Sequence, residues 1–141
     1  MTIPDEPSQG AATDPATDPA TELAVVAARA ADHKLATDII VLDVGPAIGI
    51  CDHFVVASAA NERQVKAVVD GIEEAVRTEL GITPRAEEGK DARRWVLLDF
   101  GDVIVHLFHV EERSYYRLER LYGDVSRTDW HPDGHPDAGT A

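Results

Sequence analysis

Several things are scarce in this 141-residue chain. It holds one cysteine, Cys51, so no intramolecular disulfide can form, which suits a reducing compartment. No apolar run approaches the ~20 residues that span a bilayer. The N-terminus, MTIPDEPSQG, lacks the basic and apolar regions of a secretory signal. A soluble cytoplasmic protein is the expectation. Basic residues are few, 13 against 26 acids, and the net charge is −13. A chain this acidic is repelled by nucleic-acid phosphates unless it carries a local basic patch. Its one dense basic spot, Lys90, Arg93 and Arg94, is small. Direct nucleic-acid binding is therefore not expected, and a basic protein partner fits the charge better.

Catalytic signatures are also missing. There is no GxGxxG or GxxxxGK[ST] loop to cradle phosphates and no GxSxG elbow. Cys51 and His53 would share a strand face, but the sequence shows no third group to orient the histidine. His106 and His109, three apart in a strand, point to opposite sides and cannot share a metal ion. His131 and His135 sit in a Pro/Gly-rich tail and promise adventitious affinity only. Asp99 and Asp102 flank a tight turn, which accounts for Asp102 at least as well as a carboxylate pair does. No catalytic set, metal or cofactor is expected.

What remains is a dense folded pattern between two polar ends. Residues 1–20 are rich in Pro, Asp, Thr and Ala and read as a disordered acidic leader. Residues 21–124 read as one domain, and 125–141 as a flexible tail. Thr21–His33 sets Leu23, Val26, Ala27, Ala30 and Ala31 on one helical face. DIIVLDV and HFVVA follow as strands from Asp38 and His53. Asn61 is an N-cap with Gln64 at the capping-box position. Val65, Val68, Val69, Ile72, Val76 and Leu80 then recur at helical spacing, and Gly81 suits the C′ position. A short strand at Arg85–Glu88 precedes WVLLDF and VIVHLFHV, joined by Gly101-Asp102 as a glycine-first hairpin turn. One helix over Glu112–Tyr122 ends at Gly123, with Tyr115, Leu118 and Tyr122 toward the core and Tyr116 off that stripe. The order α-β-β-α-β-β-β-α predicts an α/β single domain, a mixed five-stranded sheet packed with helices. Both hairpin faces are largely apolar, so part of one face is left for a partner, and Trp95 at its end is a typical interface anchor.

DIIVLDV, DHFVVAS (Asp52–Ser58), NERQV (Asn61–Val65), WVLLDFGDVIVHLF (Trp95–Phe108) and ERSYYRLERLYGD (Glu112–Asp124) together resemble the ribosomal silencing factor, or Iojap-related, family. The resemblance runs from about Thr21 to Asp124 and leaves the leader and tail outside it. It implies a nucleotidyltransferase-like topology without the catalytic set, and the chain has no Gly-Ser loop followed by a D-x-D pair. It implies a repressor that binds the large ribosomal subunit through its protein numbered fourteen and blocks subunit joining. It also admits a homodimer of the free chain. Carried over, the contact surface comprises Trp95, Leu97, Asp99 and Asp102 on the hairpin, with Tyr116 and Glu119 on the last helix. Two other readings stand beside it: a large-subunit biogenesis factor, and, by fold analogy alone, a nucleotide-binding or nucleotidyltransferase enzyme.

Overall fold

A computed structural model of the chain describes residues 18–131. The leader up to residue 17 and the tail from residue 132, with His135, lie outside the described residues. The elements are α1 (Pro19–His33), β1 (Thr37–Asp43), α2 (Gly45–Ile48), β2 (His53–Ala59), α3 (Glu62–Leu80), β3 (Ala86–Glu88), β4 (Trp95–Asp99), β5 (Val103–His109), α4 (Val110–Tyr116) and α5 (Leu118–Leu121).

The strands form one mixed sheet in the order β1-β2-β5-β4-β3. β2 and β5 are parallel, and the other three pairings are antiparallel. Parallel neighbours need a long crossover, and α3 supplies most of it. Local signals place α3. The Asn61 side chain accepts from the Gln64 amide, and Gly81 closes the helix at φ 71°. Gln64 itself reaches back to the amide of Ala60 rather than Asn61, one residue short of a capping box. Its side-chain amide donates instead to the carbonyls of Lys34 and Leu35, pinning the turn after α1.

Alternation divides the strand residues between two faces. Val41, Val55, Ala57, Val96, Leu98, Val105 and Leu107 lie in one apolar cluster with α1 and α3. Small side chains let α1 sit close: Ala24, Ala27, Ala28 and Ala31 are fully buried. The buried stripe is turned slightly from the expected one, since Val26 and Ala30 are only partly covered. On the other face Leu42, Phe54, Val56 and Phe108 are buried, with Trp95, Ile104, Leu118, Tyr122 and Val125 packed against them.

Gly45-Pro46 follows the end of β1 and opens the single helical turn α2. Two expectations change. The last helix is broken: Arg117 takes φ 47° and separates α4 from α5. The break keeps Leu118 and Tyr122 on the sheet but turns Tyr115 outward, 79% exposed, so it is not a core residue. Finally, the chain does not leave the domain at residue 125. Arg127 bridges to Leu42, and the amides of Asp43 and Thr128 bond to the carbonyls of Ser126 and Val41. Trp130 is buried, and its indole N–H donates to the Ile39 carbonyl. Residues 125–131 thus cover the outer edge of β1, an edge that would otherwise offer unpaired backbone to another chain.

Candidate docking face

The second face of the sheet is covered unevenly. α5 lies over the Phe54 end, where the Tyr122 ring meets Phe54 edge-on at 5.4 Å. Toward β4 the cover thins, and Trp95, Leu97 and Asp99 remain half-buried on the same side of the strand. Trp95 and Asp99 stand about 13 Å apart along β4.

The Trp95 end is aromatic. The indole ring lies 4.8 Å from Phe108 and 4.8 Å from Tyr116. Tyr116 is 48% exposed and meets Tyr115 edge-on. The indole N–H donates to Nδ1 of His106 at 3.1 Å. His106 is buried, and burial pushes its pKa down to about 4. The imidazole is therefore neutral. Because Nδ1 accepts, the ring proton sits on Nε2, and Nε2 is buried with no hydrogen-bond partner among the described residues.

The opposite end is acidic. The Asp99 carboxylate accepts from the Gly101 amide at 2.8 Å and ion-pairs with Arg85 at 3.2 Å. Gly101 has φ 96°, as a glycine-first turn requires. Asp102 is exposed in that turn, and its carbonyl takes the amides of Asp52 and His53. Burial first, then the negative charge of Asp52, Asp99 and Asp102, pushes the Cys51 thiol up to about 11.

Of the six residues anticipated for the surface, the fold brings Trp95, Leu97, Asp99 and Tyr116 to one face and sets Asp102 at its acidic end. Glu119 is held differently. Its carboxylate is tied to buried Arg113 at 3.1 Å, and Arg113 also donates to Ser58. This pair clasps α5 to α4 across the break at Arg117. The small basic spot is largely neutralised: Lys90 pairs with Glu73 and Glu87, and Arg94 with Glu111 and Glu112.

The chemical candidates resolve in the same way. His53 does have an orienting group, since its Nδ1 lies 3.0 Å from Asp43 and its Nε2 lies 3.0 Å from the Thr21 hydroxyl. Sequence reasoning missed this because the partners come from β1 and the start of α1. Yet Cys51 gives its thiol to the His53 backbone carbonyl, not to the imidazole. With its thiol pKa pushed up, Cys51 is not an activated nucleophile. Asp43 also takes the hydroxyls of Ser126 and Thr128, which anchors the terminal strap. His109, Glu111 and Glu112 have donor atoms within 4.8 Å of one another. That cluster already has its cation, the Arg94 guanidinium. No helix among the described residues is long and apolar enough to cross a membrane.

Comparison with known proteins bears on the chain as a whole. Residues 17–140 match the family described as "Ribosomal silencing factor during starvation", so the shared pattern extends well past Asp124 into the terminal segment. The ribosomal silencing factor RsfS of Bacillus subtilis is 43% identical over 104 residues, 74% of this chain and 87% of that protein. A mouse protein named "Mitochondrial assembly of ribosomal large subunit protein 1" is 35% identical over 92 residues, 62% of this chain and 39% of its own length. A crystal structure of a Chromobacterium violaceum protein superposes with a TM-score of 0.68 at 33% identity, covering 72% of this chain and 84% of that one.

Proposed function

The chain belongs to the ribosomal silencing factor family, and from that premise we propose that it represses translation by docking on the large ribosomal subunit. The partner is a ribosomal protein at the subunit interface, the one numbered fourteen. The observation that carries this reading is the incompletely covered β4 face, with Trp95 and Tyr116 at one end and Asp99 and Asp102 at the other. An apolar anchor in a half-desolvated setting supplies affinity. A carboxylate-rich rim selects a basic protein over RNA by the sign of its charge. Repression then needs no chemistry: a folded domain in the interface excludes the small subunit sterically. The cytoplasm, where the ribosomes are, is the proposed site of action.

The test is sedimentation of purified full-length protein with large and small subunits. Binding should be confined to free large subunits, with fewer joined ribosomes as occupancy rises. Crosslinking should then identify the neighbouring protein. Unchanged subunit joining at saturating protein defeats the reading. A second reading, assistance in large-subunit assembly, is favoured by the name of the mouse relative. Immature large subunits accumulating on depletion in rich conditions would support it over repression.

A further inference from the structure

A neutral histidine with an unsatisfied N–H is a poor core residue. His106 stands on β5 directly opposite Leu97, and Trp95 is its diagonal neighbour on β4. It is buried among Phe54, Phe108 and Trp95, with the Phe54 ring centroid 4.6 Å away. An apolar side chain of similar volume would fill this space and leave no donor without a partner. Buried polar groups lacking partners are few in folded proteins, and each calls for a reason. Among the described residues the only bond the imidazole makes is the one it accepts from the Trp95 indole.

That bond acts on orientation. The indole is flanked by Phe108 and Tyr116, and face-to-ring contacts of this kind are far less particular than a hydrogen bond about which edge of the ring points inward. An acceptor at Nδ1 holds one edge inward and leaves the opposite edge for a partner. Interface aromatics contribute most when their geometry is fixed before binding. We infer that His106 is a positioning residue of the docking face, fixing the Trp95 indole at a cost to the stability of the free chain. This rests on the docking reading above and deepens it. His106 touches no partner itself and acts through Trp95. Its neutrality supports the assignment, because a protonated ring could not accept from the indole, and burial keeps the ring unprotonated down to about pH 4.

The experiment compares full-length wild type, His106→Leu and His106→Asn for binding to purified large ribosomal subunits and for thermal stability. The indole N–H of Trp95 is followed by NMR on tryptophan-labelled protein. Leucine removes both the acceptor and the orphaned donor. Asparagine places its side-chain oxygen near the position of Nδ1 and so restores the acceptor. The expected result is His106→Leu at least as heat-stable as wild type yet binding about tenfold more weakly or worse. Its Trp95 N–H should move toward a solvent-exposed shift. His106→Asn should recover binding to within about threefold, with the N–H signal back near its wild-type place. Wild-type affinity in His106→Leu overturns the inference, as does weak binding by a folded His106→Asn whose indole bond is intact. If the wild type itself does not bind large subunits, the docking reading falls, and this one with it.

Discussion

Over one face of the sheet, α1 and α3 lie side by side and bury Val41, Val55, Val96, Leu98, Val105 and Leu107 to 1% exposure or less. Over the other, the α5 segment covers Phe54 through Tyr122 and α4 lays only Tyr116 against Trp95, so β4 keeps Trp95, Leu97 and Asp99 half-exposed. The first face is apolar except at one end, where the buried His53 ring lies between Asp43 and the Thr21 hydroxyl of α1, with both ring nitrogens satisfied. The second contains a buried histidine with a nitrogen that has no partner among the described residues, and a tryptophan bonded to it. The difference separates two jobs. Apolar burial on both sides would give a more stable domain, whereas unfilled cover and an unpaired donor mark where stability has been given up for another purpose.

The largest effect expected is on the closed face. Leu98→Ala removes a fully buried side chain beneath α1 and α3, and should destabilise the fold by about 3 kcal/mol. Denaturant unfolding measures it. Binding to large subunits, measured well below the new midpoint, should not change. A loss of affinity in the folded variant would break the division between faces.

Acid should next reveal the open face. The unfolded chain protonates His106 near its ordinary 6.5, whereas the folded chain resists until about 4. Between those values the unfolded state binds the extra proton, so stability falls as pH drops through that window and levels off below it. The shift amounts to about 3 kcal/mol. Carboxylates also titrate there, so the readout is the difference between wild type and His106→Leu from pH 7 to 4. Parallel curves would mean that His106 is not held neutral by the fold.

How far the sequence foretold each face follows the same division. The closed face rests on short-range signals. Asn61, Gly81 and the valine spacing of α3 are all read within one helix, and the alternation in WVLLDF and VIVHLFHV is read within one hairpin. The open face and the β1 edge rest on contacts between distant segments. Nothing in ERSYYRLERLYG announces a break, because the residue that turns left-handed is an arginine rather than a glycine. Residues 125–131 look polar, and their docking depends on Trp130 finding a carbonyl on β1 ninety-one positions earlier. The Asp43–His53–Thr21 contacts join elements whose pairing no local pattern encodes, and the Trp95–His106 bond, though inside the legible hairpin, depends on side-chain orientations that strand alternation does not specify. The candidate surface was legible as a face, from Trp95 and Leu97, but not in its detail. The tie between the Glu119 carboxylate and Arg113 was likewise outside what helical spacing shows.

Trp95→Ala sharpens the comparison from the open side. The indole is half-buried, so its loss should cost the fold less than it costs docking. Affinity for large subunits should drop by about 2 kcal/mol or more, with the fold still cooperative by circular dichroism. An unchanged affinity would remove Trp95 from the surface.

The smallest effect concerns charge. Asp102 is exposed at the acidic end of the open face, in a turn whose backbone bonds use its carbonyl and not its carboxylate. Asp102→Asn therefore removes a charge without removing a structural contact. A rim carboxylate facing a basic partner acts mainly on encounter rate and is screened by salt. At about 0.15 M salt the loss should be roughly 0.5 kcal/mol, expressed as slower association with little change in dissociation. It should shrink further as salt rises. A substitution of equal charge on the closed side, Glu79→Gln on α3, should leave association untouched, because that helix faces away from β4's open side. If both variants slow association equally, the net charge of −13 rather than the placement of Asp102 governs encounter, and the acidic end has no special part in docking.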